Sequence, residues 1–320
     1  MKNSVKPADT MMSQAKTYLA QRHSLGFDLK ISGPILMDFA RFADAMTQPG
    51  PITEELALAW AHSTKSERAI TWARRIEVIR PFAKYLKQFS PEAIVPRRDL
   101  CGQAHRRLAP HIYTERELNE LVAASAALLP AGSIRPLTYE ALFGLIAATG
   151  LRISEAINLS RSDVNLEDGT LIVRETKFHK SRLIPLHPTV TRVLERYADR
   201  RLRVIAAVPC NSFFVGINGK KLPIRTVEGT FDRIRRQLAW TARGDHPLPR
   251  IHDLRHTFVC RRILKWYQEG ANIDNRIIAL STYLGHVKPS DTYWYLTAVP
   301  ELMEVVNQKF ARFAEGASHE

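Results

Sequence analysis

Two β-rich runs separated by only four residues restrict what this chain can fold into. The runs are TLIVRET (170–176) and SRLIPL (181–186), and KFHK lies between them. Two short runs of this composition with a short connection predict an antiparallel hairpin. Elsewhere, most apolar residues recur at helical spacing. The sequence therefore predicts a mainly α fold (α+β) with one small antiparallel β-sheet.

The helical part of the sequence divides into two predicted domains joined by a linker. Residues 1–90 are predicted to form four helices, and Thr53 is placed to cap the third. Residues 91–110 contain three prolines and four arginines with little periodicity, which indicates a basic linker. Such a linker could lie along a phosphate backbone or be a solvated loop.

Residues 111–320 form the second predicted domain. Thr114 and Glu117 in TERE make a capping box ahead of its first helix, and Gly150 ends the next. The hairpin follows. Beyond it, apolar spacing predicts helices at about 188–204, 225–240, 252–268, 274–283 and 300–315.

The charge of the chain indicates a polyanionic partner. Its formal net charge is +14, and residues 1–110 and 111–320 share the excess. This favours nucleic acid, although an anionic membrane surface or a ribosomal environment would also attract such a chain.

Cysteine usage and the N-terminal sequence predict a soluble, cytoplasmic protein. Cys101, Cys210 and Cys260 are far apart and fit neither a disulfide framework nor a zinc site. The N-terminus lacks the apolar core of a signal peptide. No apolar run reaches the roughly 20 residues that cross a bilayer.

The motif HDLRH places anion-binding and acid–base groups on one helix face. Residues three and four apart share a face, so His252, Arg255 and His256 should point the same way. A guanidinium fork fits two phosphate oxygens, and an imidazole can donate a proton or a hydrogen bond. The alternatives are a surface cluster or a histidine satisfied in the core.

Two further cations stand at predicted turns. Arg152 follows Gly150 between apolar neighbours, which favours a rigid guanidinium facing an anion. An internal pair with Glu155, three residues on, is the alternative. Lys177 lies in the KFHK turn, where an ammonium could protonate a leaving oxygen, and Lys180 is its local competitor.

The stretch GHVKPSDTYWYL combines His286 with Tyr293 and Tyr295. A nucleophilic tyrosine needs cations and hydrogen bonds to match its developing charge. On a helix, these two tyrosines are about 200° apart, so only one can face such a site. His286 precedes that helix and could hydrogen-bond a phosphate.

Taken in order, TGLR, a hairpin lysine, HxLRH, LGH and a tyrosine nine residues beyond the last histidine resemble the tyrosine recombinase (phage integrase) family. The resemblance covers most of residues 108–310. The N-terminal four-helix unit is similar, in position and character, to the core-binding (SAM-like) DNA-binding domain of that family. The resemblance implies the fold of DNA breaking–rejoining enzymes and site-specific recombination through a 3′-phosphotyrosyl intermediate.

The resemblance also implies roles for individual residues. The implied catalytic set is Arg152, Lys177, His252, Arg255, His286 and Tyr295. In it, the arginines clamp the scissile phosphate, Lys177 is the general acid toward the 5′-oxygen, His252 assists proton transfer and His286 contacts the phosphate. Tyr295 is the nucleophile, Tyr293 packs beneath it or against the fold, and His256 is a supporting residue.

The implied partner is double-stranded DNA with specific recombination sites, bound as four protomers on two duplexes, with no metal, nucleotide or other cofactor. The sequence agrees, since it contains no GxxxxGK[ST] loop and no acidic cluster suited to two metals. Integration, transposition and resolution in a mobile element all remain open. A last predicted helix would dock into a neighbouring protomer or pack on its own domain; its apolar side comprises Met303, Val306, Phe310 and Phe313.

Three other functions fit part of the pattern. A type IB topoisomerase would use the same chemistry to relax DNA. A DNA-binding regulator could retain this scaffold without cutting, although the intact set of six residues argues against it. An RNA-binding protein would explain the charge but not the ordered series of site residues.

Overall fold

The computed structural model describes residues 10–46, 50–104, 107–174, 181–204, 210–286 and 288–298. The chain separates into two compact units, Met1–Arg107 and Leu108–Glu320. The division falls within the linker predicted at 91–110.

The first unit has four helices in its described part. They are α1 (Met11–Ser24), α2 (Ser32–Asp44), α3 (Glu54–His62) and α4 (Ala69–Leu86). Helix α3 begins as predicted, because the Thr53 hydroxyl accepts a hydrogen bond from the backbone N–H of Leu56 at 3.1 Å. The core contains Phe39 and Trp60, whose rings meet edge to face with centroids 5.1 Å apart.

Residues that follow α4 pack against the helices of this first unit. Ala93 is buried, and the N–H of Ile94 donates to the carbonyl of Ile52 at 2.8 Å. The Glu54 carboxylate accepts hydrogen bonds from the backbone and the side chain of Arg97. Leu100 and Cys101 also pack against the core of this unit, so much of the predicted linker belongs to it.

The second unit contains the remaining described helices. They are α5 (Glu115–Ala126), α6 (Arg135–Thr149), α7 (Ile153–Asn158), α8 (Pro188–Val204), α9 (Ile224–Leu238), α10 (Ile251–Gln268), α11 (Ile273–Leu284) and α12 (Ser290–Ala298). The predicted capping box of Thr114 and Glu117 is present at the start of α5. The four helices predicted between residues 188 and 283 agree with α8 to α11 within two residues at each end.

One antiparallel sheet accompanies these helices. Its strands are β1 (Val164–Asn165), β2 (Thr170–Val173) and β3 (Arg182–Pro185), in the order β1-β2-β3. The register places Val173 opposite Arg182. The mainly α fold with a small antiparallel sheet is thus confirmed, while β1 was too short to be predicted.

Helix α6 lies at the centre of the second unit. Leu142 and Phe143 on this helix are fully buried, and the helix packs against α5, α8 and α10. A separate apolar cluster joins α10, α11 and α12 and includes Val259, Leu284 and Tyr295. Helix α10 contributes side chains to both clusters. Within the described ranges, no helix combines the length and the hydrophobicity that crossing a membrane requires.

Some predictions fall outside the described residues. They concern the KFHK turn with Lys177 and Lys180, and the helix predicted at 300–315 with its apolar side.

Candidate active site

The turn between α6 and α7 carries the first arginine of the site. Helix α6 ends at Gly150, whose φ of +66° is a left-handed conformation that favours glycine. A Cβ at this position would lie 2.6 Å from a ring carbon of Phe258, so the close approach of α10 also requires glycine. Arg152 follows as the N-cap residue of α7. The turn therefore fixes the backbone that bears Arg152.

Arg255 lies on the buried face of α10 and is only 2% exposed. Its Nη1 donates to the carbonyl of Gly150 at 2.6 Å, and its Nη2 donates to the carbonyl of Leu284 at 2.7 Å. These carbonyls terminate α6 and α11, where carbonyls lack intrahelical partners and the helix dipole favours a cation. Burial, and then the charge of Arg152, lower the pKa of Arg255 to about 10. The guanidinium therefore stays charged near neutral pH.

His286 follows Gly285, the residue that ends α11. Its Nε2 lies 3.0 Å from Nη2 of Arg255, and its Nδ1 lies 2.7 Å from Oγ1 of Thr292. A guanidinium only donates, so Nε2 accepts and the neutral ring carries its proton on Nδ1. Burial, followed by the charges of Arg255 and Arg152, lowers the pKa of His286 to about 4. Both ring nitrogens thus have protein partners, and contact with a phosphate requires one of these hydrogen bonds to open.

The two histidines of HDLRH lie side by side on α10, with perpendicular rings and centroids 4.7 Å apart. His252 is exposed as a whole residue, but partial burial of its ring and the charges of Arg255 and Arg250 lower its pKa to about 4. Burial, followed by His252 and Arg250, lowers the pKa of His256 to about 2. Both rings are therefore neutral near pH 7.

The two tyrosines of α12 have opposite environments. Tyr295 is 3% exposed, and its Oη lies 2.8 Å from Nδ1 of His256. Tyr293 is 37% exposed, so the prediction that it packs beneath Tyr295 or against the fold is wrong. The physical reason is the helical angle between them, because α10 and α11 cover the side of α12 that bears Tyr295.

Arg152 pairs with Glu155, as the alternative interpretation predicted. Its Nη1 donates to Oε1 at 2.8 Å, and its backbone N–H donates to Oε2 at 3.0 Å. Arg182, at the start of β3, binds the same carboxylate with two nitrogens. Its Nη1 donates to Oε1 at 3.2 Å and its Nη2 donates to Oε2 at 2.8 Å. The side chain of Arg152 remains 33% exposed, whereas that of Arg182 is 11% exposed. The carboxylate of Glu155 is therefore shared by the partly exposed guanidinium of Arg152 and the buried guanidinium of Arg182.

The structure brings five of the six predicted site residues into one region, where the α6–α7 turn, α10, the end of α11 and α12 meet. They are Arg152, His252, Arg255, His286 and Tyr295. Lys177, the sixth, lies outside the described residues. Residues from distant parts of the chain therefore share one electrostatic environment.

The sequence did not reveal two residues that contact this set. Arg182 is one of them, and a charged residue within a short apolar run was the signal that could have indicated it. Thr292, which hydrogen-bonds His286, is the other; it is fully buried. Nothing in its sequence context distinguished it from its neighbours.

This arrangement suits a phosphodiester. Arg152, Arg182 and Arg255 all interact with the carboxylate of Glu155, so positive charge is in excess around it. A phosphoryl-transfer transition state gains negative charge on its non-bridging oxygens, which fixed cations stabilise. The phenol of Tyr295 lies close enough to this cationic region to interact electrostatically with Arg255.

Comparison with known proteins agrees with this chemistry. Residues 112–301 match the model of the phage integrase family. The chain belongs to the phage integrase family. The tyrosine recombinase family predicted from the ordered motifs is thereby confirmed.

Relatives of this integrase-family chain extend over both of its units. The integrase/recombinase y4rB of Sinorhizobium fredii is 36% identical over 307 residues, which cover 95% of this chain and 98% of y4rB. The tyrosine recombinase XerC of Pelotomaculum thermopropionicum is 29% identical over 80% of each chain. The Tn1549 transposon integrase, solved in complex with transposon right end DNA, has a TM-score of 0.66 at 18% identity and covers 95% of this chain and 99% of its own. This last similarity shows a common fold.

Proposed function

We propose that this chain is a site-specific DNA recombinase that cleaves and rejoins strands through a 3′-phosphotyrosyl intermediate. The convergence of Arg255 on the ends of α6 and α11, close to Arg152 and Tyr295, carries the proposal. Two relatives support the same activity, since XerC is named a tyrosine recombinase and the Tn1549 integrase was solved with DNA.

In the proposed cleavage step, Oη of Tyr295 attacks the phosphorus of one phosphodiester. The Oη–P bond forms while the bond from phosphorus to the 5′-oxygen breaks, which leaves a 3′-phosphotyrosine and a free 5′-hydroxyl. Arg152 and Arg255 neutralise the charge that builds on the non-bridging oxygens. Three N–H groups of Arg255 bind acceptors within the described residues, and in the proposed complex its other donors bind the phosphate.

The remaining proposed roles concern protons and access. His252 assists the transfer of the phenol proton away from Tyr295, Lys177 protonates the leaving 5′-oxygen, and His286 contacts the phosphate once one of its hydrogen bonds opens. Because Tyr295 is only 3% exposed, DNA binding has to move α12 before the phenol oxygen can reach phosphorus. The hydrogen bond between Tyr295 and His256 must break in the same movement.

We further propose that the reaction needs neither a metal ion nor ATP. Guanidinium groups supply the positive charge that Mg²⁺ supplies in many other phosphoryl-transfer enzymes. One phosphoester replaces another at each step, so the cleaved state retains the energy needed for rejoining.

The proposed substrate is double-stranded DNA with specific sites, and the proposed assembly is four protomers on two duplexes. Exchange of strands requires two duplexes, each cut at two positions. Light scattering of the protein with such sites should give the mass of four chains and two duplexes, and a complex of one chain with one duplex would contradict the assembly.

A suicide duplex tests the chemistry directly. The duplex carries a candidate recombination site and a nick beside the scissile phosphate, so that the short fragment with the 5′-hydroxyl diffuses away after cleavage. We expect the wild-type chain, in EDTA and without nucleotide, to become covalently attached to the labelled strand. Denaturing electrophoresis measures this product.

Two conservative variants complete the experiment. Tyr295→Phe should retain DNA affinity and lose all covalent product, whereas the matched control Tyr293→Phe should retain cleavage. Covalent attachment of the Tyr295→Phe chain would overturn the assignment of the nucleophile. Specific binding without covalent product by the wild type would identify a non-cleaving regulator, and relaxation of a plasmid without sites would identify a topoisomerase.

A further inference from the structure

Arg182 has no role in the proposed cleavage step, yet it contacts two parts of the site region, α7 and the end of α11. It is the first residue of β3 and is largely buried. Its Nη1 and Nη2 hold the two oxygens of Glu155, and its Nε donates to the carbonyl of Tyr283 at 2.7 Å. A guanidinium that meets a carboxylate with two parallel hydrogen bonds has a fixed orientation.

The last turn of α11 holds this guanidinium in place. Tyr283 lies in that turn, where the carbonyls lack intrahelical partners. Gly285 ends the helix with a φ of +67°, and a Cβ there would lie 3.0 Å from Nη1 of Arg182. The helix end therefore fits closely around Arg182 and leaves little space for another arrangement.

The consequence concerns the charge of Arg152. If Arg152 were the sole partner of Glu155, the carboxylate would neutralise it and hold it away from a phosphate. Arg182 instead takes both oxygens of Glu155, while Arg152 reaches one oxygen with a single side-chain nitrogen. Burial would raise the pKa of Glu155, but Arg182 first and Arg152 second hold it below its ordinary value. Glu155 therefore orients Arg152 without cancelling its charge.

We propose that Arg182 is a positioning residue that acts through Glu155 to keep the guanidinium of Arg152 oriented and charged toward the scissile phosphate, an inference that rests on the proposed recombinase chemistry. Arg182 itself makes no contact with the DNA. Its effect should therefore appear in the rate of the bound complex and not in affinity.

A double-variant cycle with the full chain and the suicide duplex tests this proposal. We expect Arg182→Ala to lower the single-turnover cleavage rate at saturating DNA by about 100-fold, the cost of a small misplacement of a reacting group. The dissociation constant for DNA should stay within about threefold, because Arg152 still contributes its charge. In a Glu155→Gln background the same change should cost less than about threefold, because no carboxylate remains to capture Arg152.

Milder and unrelated variants act as controls. Arg182→Lys should recover only part of the rate, because an ammonium cannot bind both carboxylate oxygens with the geometry of a guanidinium. This variant replaces Arg182→Ala in the cycle if Arg182→Ala fails to fold. Arg196→Ala removes another arginine that pairs with a carboxylate, that of Glu140, and should leave the rate unchanged in both backgrounds. An equal loss for the Arg182 variants with and without Glu155, or no loss at all, would overturn the proposal.

A second measurement separates this inference from the proposed function. The pKa of Glu155, followed by NMR of its carboxyl carbon, should rise more in Arg182→Ala than in Arg152→Ala. If the wild-type chain forms no covalent product, the recombinase chemistry fails and this titration still decides the role of Arg182. A larger rise in Arg152→Ala would show that Arg152, and not Arg182, is the main partner of the carboxylate.

Discussion

At the scale of single residues, Arg255 shows how a charged group can be buried without being neutralised. A buried guanidinium is stable only where its N–H groups meet acceptors. Arg255 meets the carbonyls of Gly150 and Leu284 and the ring of His286, all of them neutral groups. Its charge and orientation are therefore set before DNA arrives, and such preorganisation is what lowers a barrier.

Removal of this guanidinium should affect catalysis more than binding. We expect Arg255→Ala to slow formation of the covalent product by about 10³-fold, the cost typical of losing an arginine that stabilises a phosphoryl transition state. Arg255→Lys should restore little of the rate, because an ammonium lacks the planar fork. Single-turnover cleavage at saturating DNA measures both effects. Full recovery of the rate at higher DNA concentration would mean that Arg255 only binds.

The histidines of the site should make stability depend on pH. The folded chain holds the pKa of His252 and His286 at about 4 and that of His256 at about 2, below the ordinary value of about 6.5. The unfolded chain therefore takes up protons from about pH 6.5 downward while the folded chain does not, so stability falls as pH falls from about 6.5 toward 4. A fully buried group contributes at most about 1.4 kcal/mol per pH unit, and the exposed His252 contributes less.

Urea unfolding near pH 7 and near pH 5 measures this dependence. The free energy of unfolding should be lower at the acidic value, and His252→Asn should show a smaller difference because one titrating group is gone. A free energy of unfolding that is equal or higher near pH 5 would contradict the lowered pKa values.

Sequence indicated most of the residues but few of the contacts between them. Arg152, Arg255 and Tyr295 follow from motif order, and the helical angle already separated Tyr293 from Tyr295. The contacts of Arg182 and Thr292 depend on tertiary approach, because Glu155 and His286 reach them from other elements. Local spacing contains no information of that kind.

At the scale of secondary-structure elements, Gly150 joins two requirements at the end of α6. It adopts a left-handed conformation, and its missing Cβ lets Phe258 of α10 approach. Its carbonyl also accepts from Arg255. The end of α6 therefore packs closely against the helix that carries the HDLRH motif.

Two glycine substitutions, one within α6 and one at the residue that follows it, should have opposite effects on stability. Gly150→Ala should lower the free energy of unfolding by about 1–3 kcal/mol, through the left-handed conformation and the clash with Phe258. Gly144→Ala should raise it by about 0.5–1 kcal/mol, because a Cβ there meets nothing within 4 Å. Urea denaturation compares the two, and a stabilising Gly150→Ala would contradict the described turn.

Apolar spacing and capping residues predicted the helices well where tertiary packing buries the same apolar face. Helices α8 to α11 appear where apolar spacing placed them, and the capping box starts α5. The two-residue strand β1 exists because it pairs with β2, and a run of that length has no period to detect. The attachment of Ala93 to the first unit depends on tertiary burial, which the proline-rich sequence concealed.

At the scale of the whole molecule, the net charge of +14 should govern how the protein finds DNA. Contacts between lysine or arginine and phosphate release condensed counterions, so affinity falls steeply with salt. Since both halves of the chain share the excess, both should contribute to binding. The cationic site then acts on one phosphate among the many that the surface holds.

Salt dependence tests this electrostatic prediction. We expect the affinity of the Tyr295→Phe chain for DNA to fall by about 10³-fold or more between about 50 and 200 mM salt, as for proteins that neutralise six to ten phosphates. Fluorescence anisotropy measures it without interference from cleavage. An affinity nearly independent of salt would contradict a binding surface dominated by phosphate contacts.

The position of Arg255 between two helix ends also constrains which site residues can be lost in evolution once activity is no longer selected. Its loss strands the terminal carbonyls of α6 and α11, which costs about 1–3 kcal/mol for each buried group left unpaired. Loss of the Tyr295 hydroxyl removes its hydrogen bond with His256 but leaves the ring in the apolar cluster of α10, α11 and α12. In homologues that are no longer selected for strand exchange, the tyrosine should therefore be substituted early while the arginine is retained. The presence of the arginine alone is then a poor indicator that a distant homologue still cleaves DNA.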